Sequence, residues 1–130
     1  MTKAVIDSSA LIAFLKDESF SLNELEAILP QAVISSVNAC EVATVLARLR
    51  MPISTIDELI NETIGDVIPF DRELSLATAS LWEFNKPYGL SLGDRACIAL
   101  GQKMKLHIYT ADKIWKQLQL ENADIKLIRE

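Results

Sequence analysis

Cysteine, histidine, proline and glycine are all scarce in this chain: its 130 residues include two, one, four and four of them respectively. The two thiols, Cys40 and Cys97, fall within helical patterns and lack the paired spacing of a zinc site. That argues against a disulfide framework or a metal knuckle and makes buried thiols the default reading. The few prolines and glycines are scattered, so low complexity and disorder are not expected. Long apolar runs are missing too. None reaches the roughly 18 residues a membrane span needs, and AVIDSSALIAFL near the start carries Asp7 inside it, which suits neither a span nor a signal peptide. A compact cytoplasmic protein with no membrane partner is the expectation. Positive charge is the last shortage. With 13 Lys and Arg against 18 Asp and Glu, the net charge is −5, which on its face disfavours a nucleic-acid partner because phosphates are usually met by a basic surface. Four acids gathered around divalent cations would remove most of that excess, and the local field would then be set by the metal. Acidity alone therefore excludes no substrate.

What the chain does have is alternation. Short apolar runs at Ala4-Val5-Ile6, Ala32 to Ser35, Val67 to Phe70, Leu106 to Tyr109 and Ile125 to Ile128 read as strands. Between them lie helical patterns: Ala10 to Leu15, Leu22 to Leu29 stopped by Pro30, Val37 to Arg50, Ser54 to Ile64 capped by Gly65, Asp71 to about Asn85, Ser91 to Met104 and Lys113 to Leu120. Asp17, Glu18 and Ser19 break the first of these, and Lys86-Pro87-Tyr88-Gly89 reads as a loop. Strands alternating with helices imply an α/β fold with a mainly parallel central sheet of four to five strands, helices on both faces, and a single domain over residues 1–130. In that architecture ligands bind at the carboxyl ends of the strands.

Acids stand at those ends. Asp7 follows the first strand, Asp94 opens a helix, and Asp112 follows HIYTA. Each has a plainer reading: Asp7 and Asp112 as helix N-caps, and Ser91-x-x-Asp94 as a capping box. Glu41 lies inside a helix, where no cap is needed, at the margin of its apolar stripe beside Asn38; its plainer reading is an ion pair with Arg48 or a head turned to solvent. As a set, three or four of them would converge on one sheet edge. Their repulsion in a poorly solvated pocket would be several kcal/mol unless a cation offset it. Oxygen ligands without His or Cys select Mg²⁺ or Mn²⁺, leaving room for water and phosphate oxygens.

The sequence V-I-D-S-S-A-L near the start, E-V at Glu41-Val42, L-G-D-R-A at Leu92 to Ala96 and T-A-D-K at Thr110 to Lys113 resembles the PIN-domain ribonucleases, most closely the VapC toxins of bacterial toxin–antitoxin pairs. The resemblance runs over nearly the whole chain, including V-I-P-F-D at Val67 to Asp71. It implies a three-layer α/β/α fold, a Mg²⁺- or Mn²⁺-dependent endoribonuclease, a homodimer and a protein antitoxin. It places the acidic quartet on Asp7, Glu41, Asp94 and Asp112, with Thr110 the hydroxyl beside the last acid, orienting a ligand or the attacking water. Asp71 has no counterpart in the quartet and reads as an N-cap.

Other residues carry weaker expectations. Arg95 either touches substrate or an acid, or is a surface arginine. Lys113 and Lys116, with Arg48 and Arg50, are candidates for a basic rim. Trp82 and Trp115 fit apolar helix faces, for core or dimer packing, and His107 has no catalytic part. An apolar groove around Leu11, Phe14, Leu22 and Leu25 is the candidate antitoxin surface. Two rivals differ in class: a receiver-like phosphoacceptor domain using Asp71, disfavoured because Asp7 is followed by Ser8-Ser9 rather than by acids, and a non-catalytic PIN-like interaction module.

Overall fold

The computed structural model describes residues 1–16 and 22–128; the break expected at Asp17, Glu18 and Ser19 lies outside them. Five strands, β1 (Ala4–Ile6), β2 (Ala32–Ser35), β3 (Asp66–Ile68), β4 (His107–Thr110) and β5 (Asp124–Leu127), form one sheet in the order β3-β2-β1-β4-β5. Every pairing is parallel. Side chains alternate between the two faces with the period of two that an extended chain imposes. Ala4 and Ile6 enter one core with α1 (Ser8–Leu15), α2 (Leu22–Ile28), α3 (Ser36–Arg48) and α4 (Ile53–Thr63). Val5, Val33 and Ile108 enter the other, with α5 (Arg72–Ala79), α7 (Leu92–Met104) and Trp115. Both faces are thus covered, which explains why the strands read as continuous apolar runs.

The central strand is β1, and its carboxyl end delivers Asp7. On either side the carboxyl ends of β2 and β4 deliver the start of α3 and Thr110. The first turn of α7 is fixed by a capping box: Ser91 Oγ accepts from the Asp94 amide at 3.2 Å and Asp94 Oδ2 accepts from the Ser91 amide at 2.9 Å. Small residues let α7 lie close on the sheet. A Cβ on Gly101 would collide with the Ile108 side chain.

Several expected elements come out differently. The helix expected from Asp71 to about Asn85 stops at Ala79, where Thr78 Oγ1 donates to Leu74 O at 2.6 Å and Ser80 Oγ to Ala77 O at 2.6 Å. Hydroxyls of this kind compete for helix carbonyls and favour an end or a bend. A 3-10 turn, Trp82–Phe84, follows, and the expected loop at 86–89 is instead a short helix, α6 (Asn85–Tyr88), ended by Gly89 in the left-handed region at φ 64°. Pro87 falls within its first turn, where a missing N–H costs little. The last helix is a 3-10 segment, Lys113–Gln117. Gly65 is not a left-handed cap; it allows close approach, since a Cβ there would lie 2.8 Å from Ala32 O and 2.9 Å from Pro30 O. Cys97 is buried as expected, whereas Cys40 is exposed. Trp115 is fully buried, but Trp82 is 71% exposed and packs no core. Of the expected early-helix groove, Leu11 and Leu25 are wholly buried and offer no surface, while Phe14 is half-buried; the side chain of Leu22 lies outside what is described.

Candidate active site

Asp7 is the buried centre of the site. Its amide continues the ladder onto Tyr109 O at 2.9 Å and its carbonyl accepts from the Leu11 amide at 3.1 Å, so the backbone starts α1. The side chain does not cap that helix. Instead Oδ2 accepts from Ser9 Oγ at 2.6 Å and from Thr110 Oγ1 at 3.0 Å, while Oδ1 is buried with no hydrogen-bond partner among the described residues. The plain N-cap reading therefore fails for Asp7. Ser9 Oγ in turn accepts from the Ala111 amide and Thr110 Oγ1 from the Asp112 amide, both at 3.1 Å. Each hydroxyl gives its single proton to Asp7, so their mutual 3.3 Å approach is a packing distance.

Glu41 sits in the second turn of α3, whose start is capped by Ser35 Oγ. It does not pair with Arg48; among the described residues the ion pairs are Lys103–Glu73 and His107–Asp124. Its Oε1 accepts from Ser8 Oγ at 2.9 Å and Asn38 Nδ2 at 3.0 Å. Asn38, wholly buried, also donates to Gly93 O at 2.9 Å and so ties α3 to the first turn of α7. Gly93 leaves room for Glu41 there: a Cβ would run into the Glu41 carboxylate, which would have to shift. Removing the clamp with Asn38→Ala is expected to cost about 1–2 kcal/mol of stability. Urea unfolding would measure the effect.

For Asp94 and Asp112 the plainer reading holds in part. Asp94 forms the capping box and Asp112 Oδ1 accepts from the Ile114 amide at 3.1 Å. Both nevertheless stand at the edge Asp7 occupies, and the electrostatics register it. Burial, then the Asp94 and Glu41 charges, push Asp7 up to about 6 against the opposing hydroxyl bonds. Burial, then Asp112 and Glu41, raise Asp94 despite its bonds to Ser91. Burial raises the Cys97 thiol well above its usual range, with Asp7, Asp94 and Glu41 adding to the effect. Asp7 and Asp94 thus feel the charge of neighbouring carboxylates, Asp7 from a buried position. Among the described residues no three His, Cys, Asp or Glu side chains are grouped closely enough to hold a metal ion between them. What fits a hard cation is the donor set: oxygens alone, one of them the orphaned Oδ1 of Asp7.

Other expected contributors sit elsewhere. Thr110 is wholly buried, so it orients Asp7 and does not face solvent. Arg95 Nε donates to Ser91 O at 3.3 Å and Lys116 Nζ to Ile125 O at 2.8 Å. Arg48 lies seven residues past Glu41, roughly 10 Å along the helix, with Arg50 beyond its end. His107 pairs with Asp124 at the opposite end of the sheet. The side chains sequence reasoning missed are Ser8, Ser9 and Gly93, with Asn38 noticed only as a neighbour. A glycine in the first turn of a helix and an amide three residues before Glu41 were the available signals.

Residues 4–120 match the PIN domain family. The chain belongs to it. This PIN domain shares its fold with a toxin–antitoxin complex chain from Klebsiella pneumoniae at 21% identity and TM-score 0.69, over 93% of this chain and 95% of that one. VapBC2 from Rickettsia felis, bound to a DNA fragment from their promoter, matches at 11% identity and TM-score 0.74, over 97% and 98%. VapC20 from Mycobacterium tuberculosis, described as a sarcin–ricin loop cleaving toxin, matches at 16% identity and TM-score 0.71, over 92% and 98%. Comparison with curated proteins gives no match. The receiver-like rival falls with the family match, and Asp71, its required phosphoacceptor, instead caps α5 by accepting from the Leu74 amide at 2.9 Å. Among the described residues no helix is long and apolar enough to cross a membrane.

Proposed function

We propose that this PIN domain is a Mg²⁺- or Mn²⁺-dependent endoribonuclease, the toxin of a toxin–antitoxin pair, acting in the cytoplasm as a homodimer. The observation that carries the reading is the orphaned Oδ1 of Asp7, with the charges of Asp94 and Glu41 close enough to act on it. A buried, unpartnered carboxylate oxygen costs stability unless something positive meets it, and a cation is what the neighbouring acids share. Asp7, Glu41 and Asp94 would hold that cation, with Asp112 at the exposed rim. When bound, the ion lowers the pKa of water and offsets charge on phosphoryl oxygens. The reaction is hydrolysis of the P–O3′ bond: water adds to phosphorus in line, and the departing 3′ oxygen takes up a proton. A 5′-phosphate and a 3′-hydroxyl result.

The chain's own contribution is placement. Ser9 and Thr110 hold Asp7, while Ser8 and Asn38 hold Glu41. An antitoxin partner is supported by the toxin–antitoxin complexes that share the fold. Exposed Leu76 and Trp82 offer apolar surface for protein contact. The caps on Asp94 and Asp112 favour a second reading, a PIN-like module that binds without catalysis.

Titrating Mn²⁺ into the purified chain and into Asp94→Asn, alongside digestion of a total RNA pool, separates the two. We expect cleavage to stop with a chelator and return with Mn²⁺, and Asp94→Asn to weaken metal binding about tenfold. An intact fold with no metal affinity would select the binding module. Metal-independent cleavage would overturn the nuclease reading.

A further inference from the structure

Beside the acids lies a cavity of about 380 Å³ lined by Ser9, Ala111, Asp112 and Lys113. Two of its walls are the acids' own supports: the Ser9 hydroxyl holds Asp7, and the Ala111 amide holds Ser9. An occupant would sit immediately next to the carboxylates. The lining contains no aromatic ring, so it offers no platform on which a base could stack. Ser9 and Ala111 are small, leaving volume for a sugar and phosphate.

Lys113 is the one cation in that lining, exposed and in no ion pair among the described residues. The neighbouring cations are committed or remote: Arg95 to Ser91 O, Lys116 to Ile125 O, and Arg48 toward the far end of α3. Four carboxylates repel a polyanion. An ammonium at the rim offsets that repulsion for a phosphate arriving beside the scissile one.

We infer that Lys113 and its cavity form a subsite for the backbone phosphate of single-stranded RNA next to the cleaved bond, read without regard to base. The subsite rests on the nuclease reading for its purpose, but RNA binding tests it independently of hydrolysis. The experiment measures fluorescence anisotropy of labelled oligo(U) and oligo(A) with the full chain in Ca²⁺, between 50 and 300 mM KCl, on the order of the range over which phosphate contacts are lost. Lys113→Ala is expected to raise Kd about five- to tenfold for both oligonucleotides. It should also shallow the slope of log K against log salt by about 0.7, the share of one single-strand phosphate. Lys113→Arg should keep affinity and slope, and Mn²⁺ binding and melting temperature should match wild type in both variants. An unchanged Kd and slope in Lys113→Ala, or a loss confined to one base, would overturn the subsite and leave the nuclease reading standing. A wild-type chain that binds neither oligonucleotide would overturn both.

Discussion

Asp7→Asn is expected to make the metal-free protein more stable by about 2–3 kcal/mol at pH 7 while lowering cleavage by more than about a hundredfold. The stability gain follows from the elevation of Asp7 to about 6 from an ordinary 3.8. Below pH 4 the group is protonated in folded and unfolded chains alike, and it exacts nothing. Between pH 4 and 6 the unfolded chain releases the proton while the folded one keeps it. Above pH 6 the fold carries a buried charge, and the cost is complete. Wild-type stability should therefore fall as pH rises from 4 through 6, and Asp7→Asn should lack that part of the slope. Urea unfolding at pH 4.5 and 8 measures it. Equal slopes for the two proteins would show that Asp7 is not the strained group. Saturating Mn²⁺ should reverse the ranking, because ligand binding stabilises only the form that binds it.

Gly93→Ala is expected to act against propensity. Alanine within a helix normally gains up to about 1 kcal/mol over glycine. Here the new methyl would meet both oxygens of the Glu41 carboxylate, which Ser8 and Asn38 already hold in place. Glu41 can yield only by giving up those bonds, and the Gly93 carbonyl is itself the second acceptor of Asn38. We expect a loss of about 1–3 kcal/mol in stability and of about tenfold in Mn²⁺ affinity and cleavage together. A Gly93→Ala protein that is active and melts higher than wild type would show that Glu41 moves aside freely.

Asp7, Asp94 and Asp112 were legible in the sequence because each stands where a strand or helix changes state, and such junctions in an alternating fold share one edge. Glu41, inside α3, was legible only as an acid at the margin of an apolar stripe. Their hydroxyl supports were legible only in part: Thr110 reads as an orienting hydroxyl, but Ser9 reads as part of a helix start, and nothing signals a bond spanning 103 positions, from Thr110 to Asp7. Asp94 and Asp112 show why cap and site compete as explanations: a side chain in a first helical turn can serve its own helix and still face the pocket. Leu11 and Leu25 left the early-helix groove for a related reason. The periodicity that marks them as an apolar face is also that of a core residue, and both went inward. The break after Ala79 depended on hydroxyl-to-carbonyl bonds within the helix, which compete too weakly in sequence to cancel the apolar repeat.

Because Asp7 hangs from the middle strand, with paired neighbours on both sides and a helical layer over each face, it meets the outside at the strands' carboxyl ends, beside the cavity that Asp112 and Lys113 line. Whatever lodges in that cavity would crowd the approach to Asp7 without having to touch it.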